Sequence, residues 1–111
     1  MTLSFTETRG APEVGARLQG RLDTATAPAL EEQVSRWLDG GARDLELDCR
    51  DLEYVSSAGL RVFLGAVKRL KPQGGRLVLV GTRGVVREVL DLAGFGALVE
   101  LKEDGPCPAG S

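Results

Sequence analysis

Hydrophobic and polar positions alternate at both ends of the first twenty residues. Leu3 and Phe5 alternate with polar neighbours, and so do Val14, Ala16 and Leu18. Each stretch predicts a half-buried strand, and Gly10-Ala11-Pro12 between them predicts a turn, so the chain opens on a hairpin. From Ala27 to Leu38 the period lengthens. Ala27, Leu30, Val34, Trp37 and Leu38 fall at helical spacing, with Glu31, Glu32, Gln33 and Arg36 on the opposite face. Thr26 can cap this helix, Pro28 suits its first turn, and Gly40-Gly41 stops it. Asp44 to Cys49 alternates again. A second helix follows from Ala58 to Leu70, its stripe made of Leu60, Phe63, Leu64, Val67 and Leu70.

Leu77 to Val80 is a continuous apolar run, which predicts a strand covered on both faces. Thr82 then caps a third helix with Val85, Val86, Val89, Leu90 and Ala93 inward, and Leu98 to Leu101 reads as a last strand. The order β-β-α-β-α-β-α-β predicts an α/β domain, a mixed sheet of about five strands with helices packed against it. The segment after Lys102 contains Gly105, Pro106 and Pro108 and cannot form a helix. The expected organisation is one domain over 1–103 and a disordered tail over 104–111.

Composition narrows the function. The 111 residues carry a net charge of −2 with no basic cluster, which argues against nucleic acid or an anionic membrane as partner. No run approaches a bilayer-spanning length, and Met1-Thr2-Leu3-Ser4 lacks the basic and apolar regions of a secretory signal. A cytoplasmic location is expected. Cys49 and Cys107 lie far apart, without metal-ligand spacing. Histidine is absent, removing the commonest general base and metal ligand together. No GxGxxG or P-loop string occurs. Neither catalysis nor a metal or cofactor is expected, and an α/β enzyme on a similar sheet finds no nucleophile–base pair to work with.

The informative stretch is Tyr54-Val55-Ser56-Ser57-Ala58-Gly59-Leu60. It leaves a strand and runs directly into a helix, which sets its serines at the carboxyl end of the sheet, where sites in open α/β folds gather. Free amides at the helix start favour a phosphate there. A serine in that position also serves as an ordinary N-cap, and local spacing alone does not choose between the two.

This string resembles the phosphorylation motif of the STAS family, which includes bacterial anti-sigma-factor antagonists. The family pattern is an apolar pair, Asp or Ser, then Ser, a small residue, Gly and Leu. Gly20-Arg21-Leu22-Asp23, followed by Thr24-Ala25-Thr26, is similar to the family's Gly-Glu-Leu-Asp segment before the first helix. Val89-Leu90-Asp91-Leu92-Ala93-Gly94-Phe95 resembles its Leu-x-x-Ala-Gly-Leu segment. The resemblance spans about residues 2–101.

It implies a partner-switching role. The unphosphorylated protein binds an anti-sigma factor that is also a serine kinase and so frees the sigma factor. The kinase phosphorylates the serine matching Ser57, the complex separates, and a serine phosphatase resets it. Asp23 matches the family's loop aspartate and would lie beside that serine. The partner surface is expected to include Asp23, Thr24, Ser56, Ser57, Gly59 and Arg61. Asp23 also suits a turn or cap, Thr24 a cap, and Arg61 a solvated charge. Two departures stand out: Ser56 replaces the Asp of many phosphorylated antagonists, offering a second hydroxyl, and the family's fourth helix is absent. The alternative implied role is a STAS subunit docking on a transporter or lipid-transport complex without phosphorylation.

Overall fold

The computed structural model describes residues 3–102. Five strands and three α-helices alternate: β1 (Leu3–Arg9), β2 (Glu13–Leu22), α1 (Ala27–Asp39), β3 (Asp44–Val55), α2 (Ser57–Leu70), β4 (Leu77–Val80), α3 (Gly84–Leu92) and β5 (Glu100–Lys102). The sheet runs in sequence order from β1 to β5. β1 is antiparallel to β2, and every later pair is parallel. The expected mixed five-stranded α/β sheet is therefore the one observed.

Parallel neighbours in sequential order, joined by crossovers of one hand, put all three helices on the same side of the sheet. The core lies between. Leu45, Leu47, Leu77 and Leu79 point into it, and Leu30, Phe63, Leu70, Val86 and Leu90 come down on them from the helices. Trp37 is buried at the other end of this layer. Its indole Nε1 donates to Glu7 Oε1 at 2.9 Å, and its ring meets Phe5 edge-on with centroids 6.5 Å apart. α1 is thereby tied to the hairpin.

The opposite face of the sheet is charged. Arg17 and Arg50 pair with Asp48, and Arg76 and Lys102 with Glu100. β4 is thus covered by helices on one face, yet Leu77, Val78 and Leu79 are all buried, so the two-sided burial read from its apolar run holds over most of the strand. Val78 is buried, but outside the main core. Long polar side chains stand around it instead, since it shares a surface hollow with Arg9, Glu46, Arg76 and Lys102.

Three boundaries differ from those read in the sequence. β3 continues past Cys49 to Val55. Its pairing with β2 slips between Arg17 and Gln19 and again between Gly20 and Arg21. Each bulge breaks the two-residue period that marks a strand and then restores Leu52 and Val55 to the core side. α3 begins at Gly84 with Arg83 before it, so Thr82 does not cap it. Of the five residues expected inward on α3, Val86 and Leu90 are buried and Val89 is half-buried, whereas Val85 and Ala93 are exposed. Finally, Gly94 takes a left-handed conformation and starts a 3₁₀ turn over Phe95–Ala97, which delays the last strand to Glu100. Among the described residues no helix is long and apolar enough to cross a membrane. The tail expected over 104–111, the expected lack of a fourth helix and Cys107 all fall outside the described residues.

Candidate functional site

β2 and β3 end together. Leu22 pairs with Val55, and the Ser56 amide donates to the Leu22 carbonyl at 2.8 Å. The β2–α1 loop, beginning at Asp23, and the start of α2 therefore emerge side by side at the carboxyl edge of the sheet. One pair earlier, the Arg21 guanidinium lies 4.4 Å from the centre of the Tyr54 ring. Gly20, with φ of 107°, sits at the bulge that brings Arg21 opposite Tyr54.

Asp23 is held in its own loop. Its Oδ1 accepts from the amides of Ala25 at 3.0 Å and Thr26 at 3.1 Å, and from the Thr26 hydroxyl at 3.2 Å. The one Thr26 hydroxyl proton is shared between that carboxylate and the Arg21 carbonyl, the nearer acceptor at 2.8 Å, and Thr26 Oγ1 accepts from the Asp23 amide at 2.9 Å. Thr26 occupies the cap position of α1 without capping it by its side chain, and Asp23 serves the loop amides instead. Desolvation is the largest single influence on the Asp23 carboxyl and pushes its pKa up. The hydrogen bonds from Thr26 and Ala25, with the nearby Arg21 charge, outweigh it and leave the carboxyl below the ordinary aspartate value. Asp23 is accordingly an anion at neutral pH.

The two serines divide their tasks. Ser56 is the N-cap of α2, its Oγ accepting from the Gly59 amide at 3.4 Å. A helix starting at Ala58 would have put Ser57 at the cap; α2 starts one residue earlier, and the cap is Ser56. Ser57 is the first residue of the helix. It is exposed, and among the described residues its hydroxyl meets no hydrogen-bond partner. Gly59 is buried: a Cβ there would come within 2.6 Å of Leu22 and 2.8 Å of Val55. Its place in the site is packing, since it lets α2 start close against the two strand ends.

Thr24 and Arg61 meet across an open groove of about 340 Å³, together with Pro28 and Glu31 of α1 and Ala58 of α2. Both Thr24 and Arg61 are exposed. The expected site residues therefore converge on one edge, Asp23 and Ser56 through the strand ladder, Thr24 and Arg61 through the groove, and Ser57 at the head of α2. Asp23 and Ser57 make no direct hydrogen bond. The Arg21–Tyr54 stack beside them belongs to the same edge and was not among the expected site residues. Both residues lie in the quoted motifs, but cross-strand stacking depends on a register that the bulges conceal. Among the described residues no group of three His, Cys, Asp or Glu side chains gathers as a metal site would require.

Comparison with known proteins follows this geometry. BtrV of Bordetella bronchiseptica, named as a candidate anti-sigma factor antagonist, is 44% identical over 80 residues, which cover 72% of this chain and 69% of that protein. The anti-sigma-B factor antagonist of Bacillus subtilis is 30% identical over 89 residues, covering 80% and 81%. Among solved structures, a candidate anti-sigma factor antagonist from Thermotoga maritima superposes with a TM-score of 0.82 at 23% identity, covering 88% of this chain and 85% of that one. The model of the STAS domain matches residues 6–104, and the chain belongs to the STAS domain family.

Proposed function

We propose that this protein is a cytoplasmic anti-sigma-factor antagonist. It binds its partner with the edge formed by the β2–α1 loop and the start of α2, and it is released by phosphorylation of Ser57. The observation that carries the switch is the Ser57 side chain, an exposed hydroxyl without internal hydrogen bonds at the head of a helix, next to a loop that holds an ionised aspartate. The relatives named as antagonists support the partner class.

In the phosphorylation step, an anti-sigma factor with serine kinase activity supplies a nucleoside triphosphate. The Ser57 oxygen attacks the terminal phosphorus, the bond to the bridging oxygen breaks, and nucleoside diphosphate leaves. The hydroxyl proton passes to a base of the kinase. A serine phosphatase reverses the state by transferring the phosphoryl group to water. The chain's own part is to present the hydroxyl and then to carry the charge.

That charge is about −1.5 to −2 at neutral pH. At a packed interface it must be desolvated, and the Asp23 carboxylate lies on the same edge. Like charges brought together at an interface cost several kcal/mol, and about 1.4 kcal/mol is tenfold in affinity, so a loss on the order of a hundredfold or more is expected.

The test is phosphorylation and binding with anti-sigma kinases of the source organism. Wild type and Ser56→Ala should accept about one phosphate, Ser57→Ala none, and Ser57→Asp should lose the complex. Full phosphorylation of Ser57→Ala would move the acceptor to Ser56. Failure of every such kinase to bind would favour the docking-subunit role instead.

A further inference from the structure

Arg61 differs from every other arginine of the described residues. The others meet a carboxylate, a backbone carbonyl or, for Arg21, the ring of Tyr54. Arg61 is exposed and among these residues has no such partner. It stands four positions after Ser57 in α2, and side chains at that spacing share a helix face with their Cβ atoms about 5–6 Å apart. The carboxylates nearest this edge do not engage it. Asp23 is occupied by its own loop, and Glu31, across the groove, forms no ion pair with Arg61.

An unpartnered guanidinium on a recognition edge is a fork for a planar or tetrahedral anion, carboxylate or phosphate, and binds either through paired N–H donors. Before modification the chain itself supplies no such anion. After modification it supplies one, on the same helix face and in the favoured order, with the acidic group N-terminal to the basic one.

We propose that Arg61 is a contact the switch weakens. In the unmodified protein its guanidinium binds a carboxylate of the anti-sigma partner. Once Ser57 carries phosphate, Arg61 pairs with that phosphate within α2, and the partner must compete for it. The proposal rests on Ser57 being the acceptor. It adds a second effect to charge repulsion: phosphorylation also weakens an attraction.

The test uses the full chain with phosphoserine installed at position 57 during translation, so that no kinase is required. The phosphorus resonance is followed against pH in the wild-type background, in Arg61→Gln and in Arg61→Lys. An ion pair of this spacing should lower the second phosphate ionisation by about 0.3 pH unit relative to Arg61→Gln, with the lysine variant between them. The difference should vanish near 1 M salt, where the screening length is about 3 Å. Equal ionisation in wild type and Arg61→Gln would overturn the pairing while leaving Ser57 as acceptor untouched. In binding to the anti-sigma kinase, unmodified Arg61→Gln should be about tenfold weaker, and phosphorylation should then cost that variant about twofold less than wild type, the same ~0.3 unit read as affinity. An identical phosphorylation penalty in both would also overturn the proposal. Wild-type binding indifferent to phosphate would sink the switch itself and this role with it. Glutamine keeps nearly the helix propensity of arginine, so the variant should fold.

Discussion

Two glycines of the same helix make opposite demands. Gly59 is buried where α2 leaves β3, and a Cβ on it would fall 2.6 Å and 2.7 Å from Leu22 atoms and 2.8 Å from Val55. Gly65, two turns on, is exposed, and a Cβ there would meet nothing within 4 Å. Alanine should therefore act with opposite signs at the two sites. Gly59→Ala must push α2 off the strand ends, at a cost of about 1–3 kcal/mol that outweighs its gain in helix propensity. Gly65→Ala should stabilise by about 0.5–1 kcal/mol. Urea titration of both variants is the check, and a shared sign would refute the packing role of Gly59. A shift of α2 would also move Ser57 and Arg61, so the phosphoryl-accepting rate should fall for Gly59→Ala only.

Among the elements, α3 shows how a helix start can leave a defect behind. Thr82 is buried, and its hydroxyl finds no partner among the described residues. Gly84, with φ of 61°, follows Arg83 and turns the chain into the helix one step beyond the place where Thr82 could cap it. Replacing the hydroxyl by a methyl keeps the shape and removes an unpaired polar atom, so Thr82→Val should raise stability by about 1–2 kcal/mol. A lower urea midpoint would show that the hydroxyl has a partner after all. Helices α1 and α2 were legible in the sequence because their apolar stripes run for three turns or more. The hairpin and the first half of β3 were legible from alternation, and β4 from its continuous apolar run. What escaped was local: the two β2–β3 bulges hid the second half of β3, and left-handed Gly94 displaced β5. The same limit applies at the site. The motif marked the edge and its serines, but the division into a cap, Ser56, and a free hydroxyl, Ser57, needed the backbone. So did the packing role of Gly59 and the stacking of Arg21 on Tyr54.

At the scale of the whole molecule, stability should decline in alkali. Cys49 is buried in the sheet, and burial first, then the neighbouring Asp48 charge, raises its thiol from 9.0 to about 12. The folded value lies above the unfolded one, so the contribution is complete below pH 9 and is lost as pH rises from there toward 12, at up to about 1.4 kcal/mol per unit. Cys49→Ala should flatten that decline when urea midpoints are compared from pH 8, below the window, to pH 11, inside it. Parallel slopes for the two proteins would show that other groups cause it.

The charged, helix-free face of the sheet has a practical bearing. Arg17 on that face lies five residues along β2 from Leu22, whose carbonyl holds Ser56, so a group fixed at Arg17 would sit on the order of 15 Å from the edge that carries Ser57. A dye, a solid support or a fused neighbour could be attached to this back surface without entering the core. The domain can then be held still while its working edge is loaded, released and loaded again.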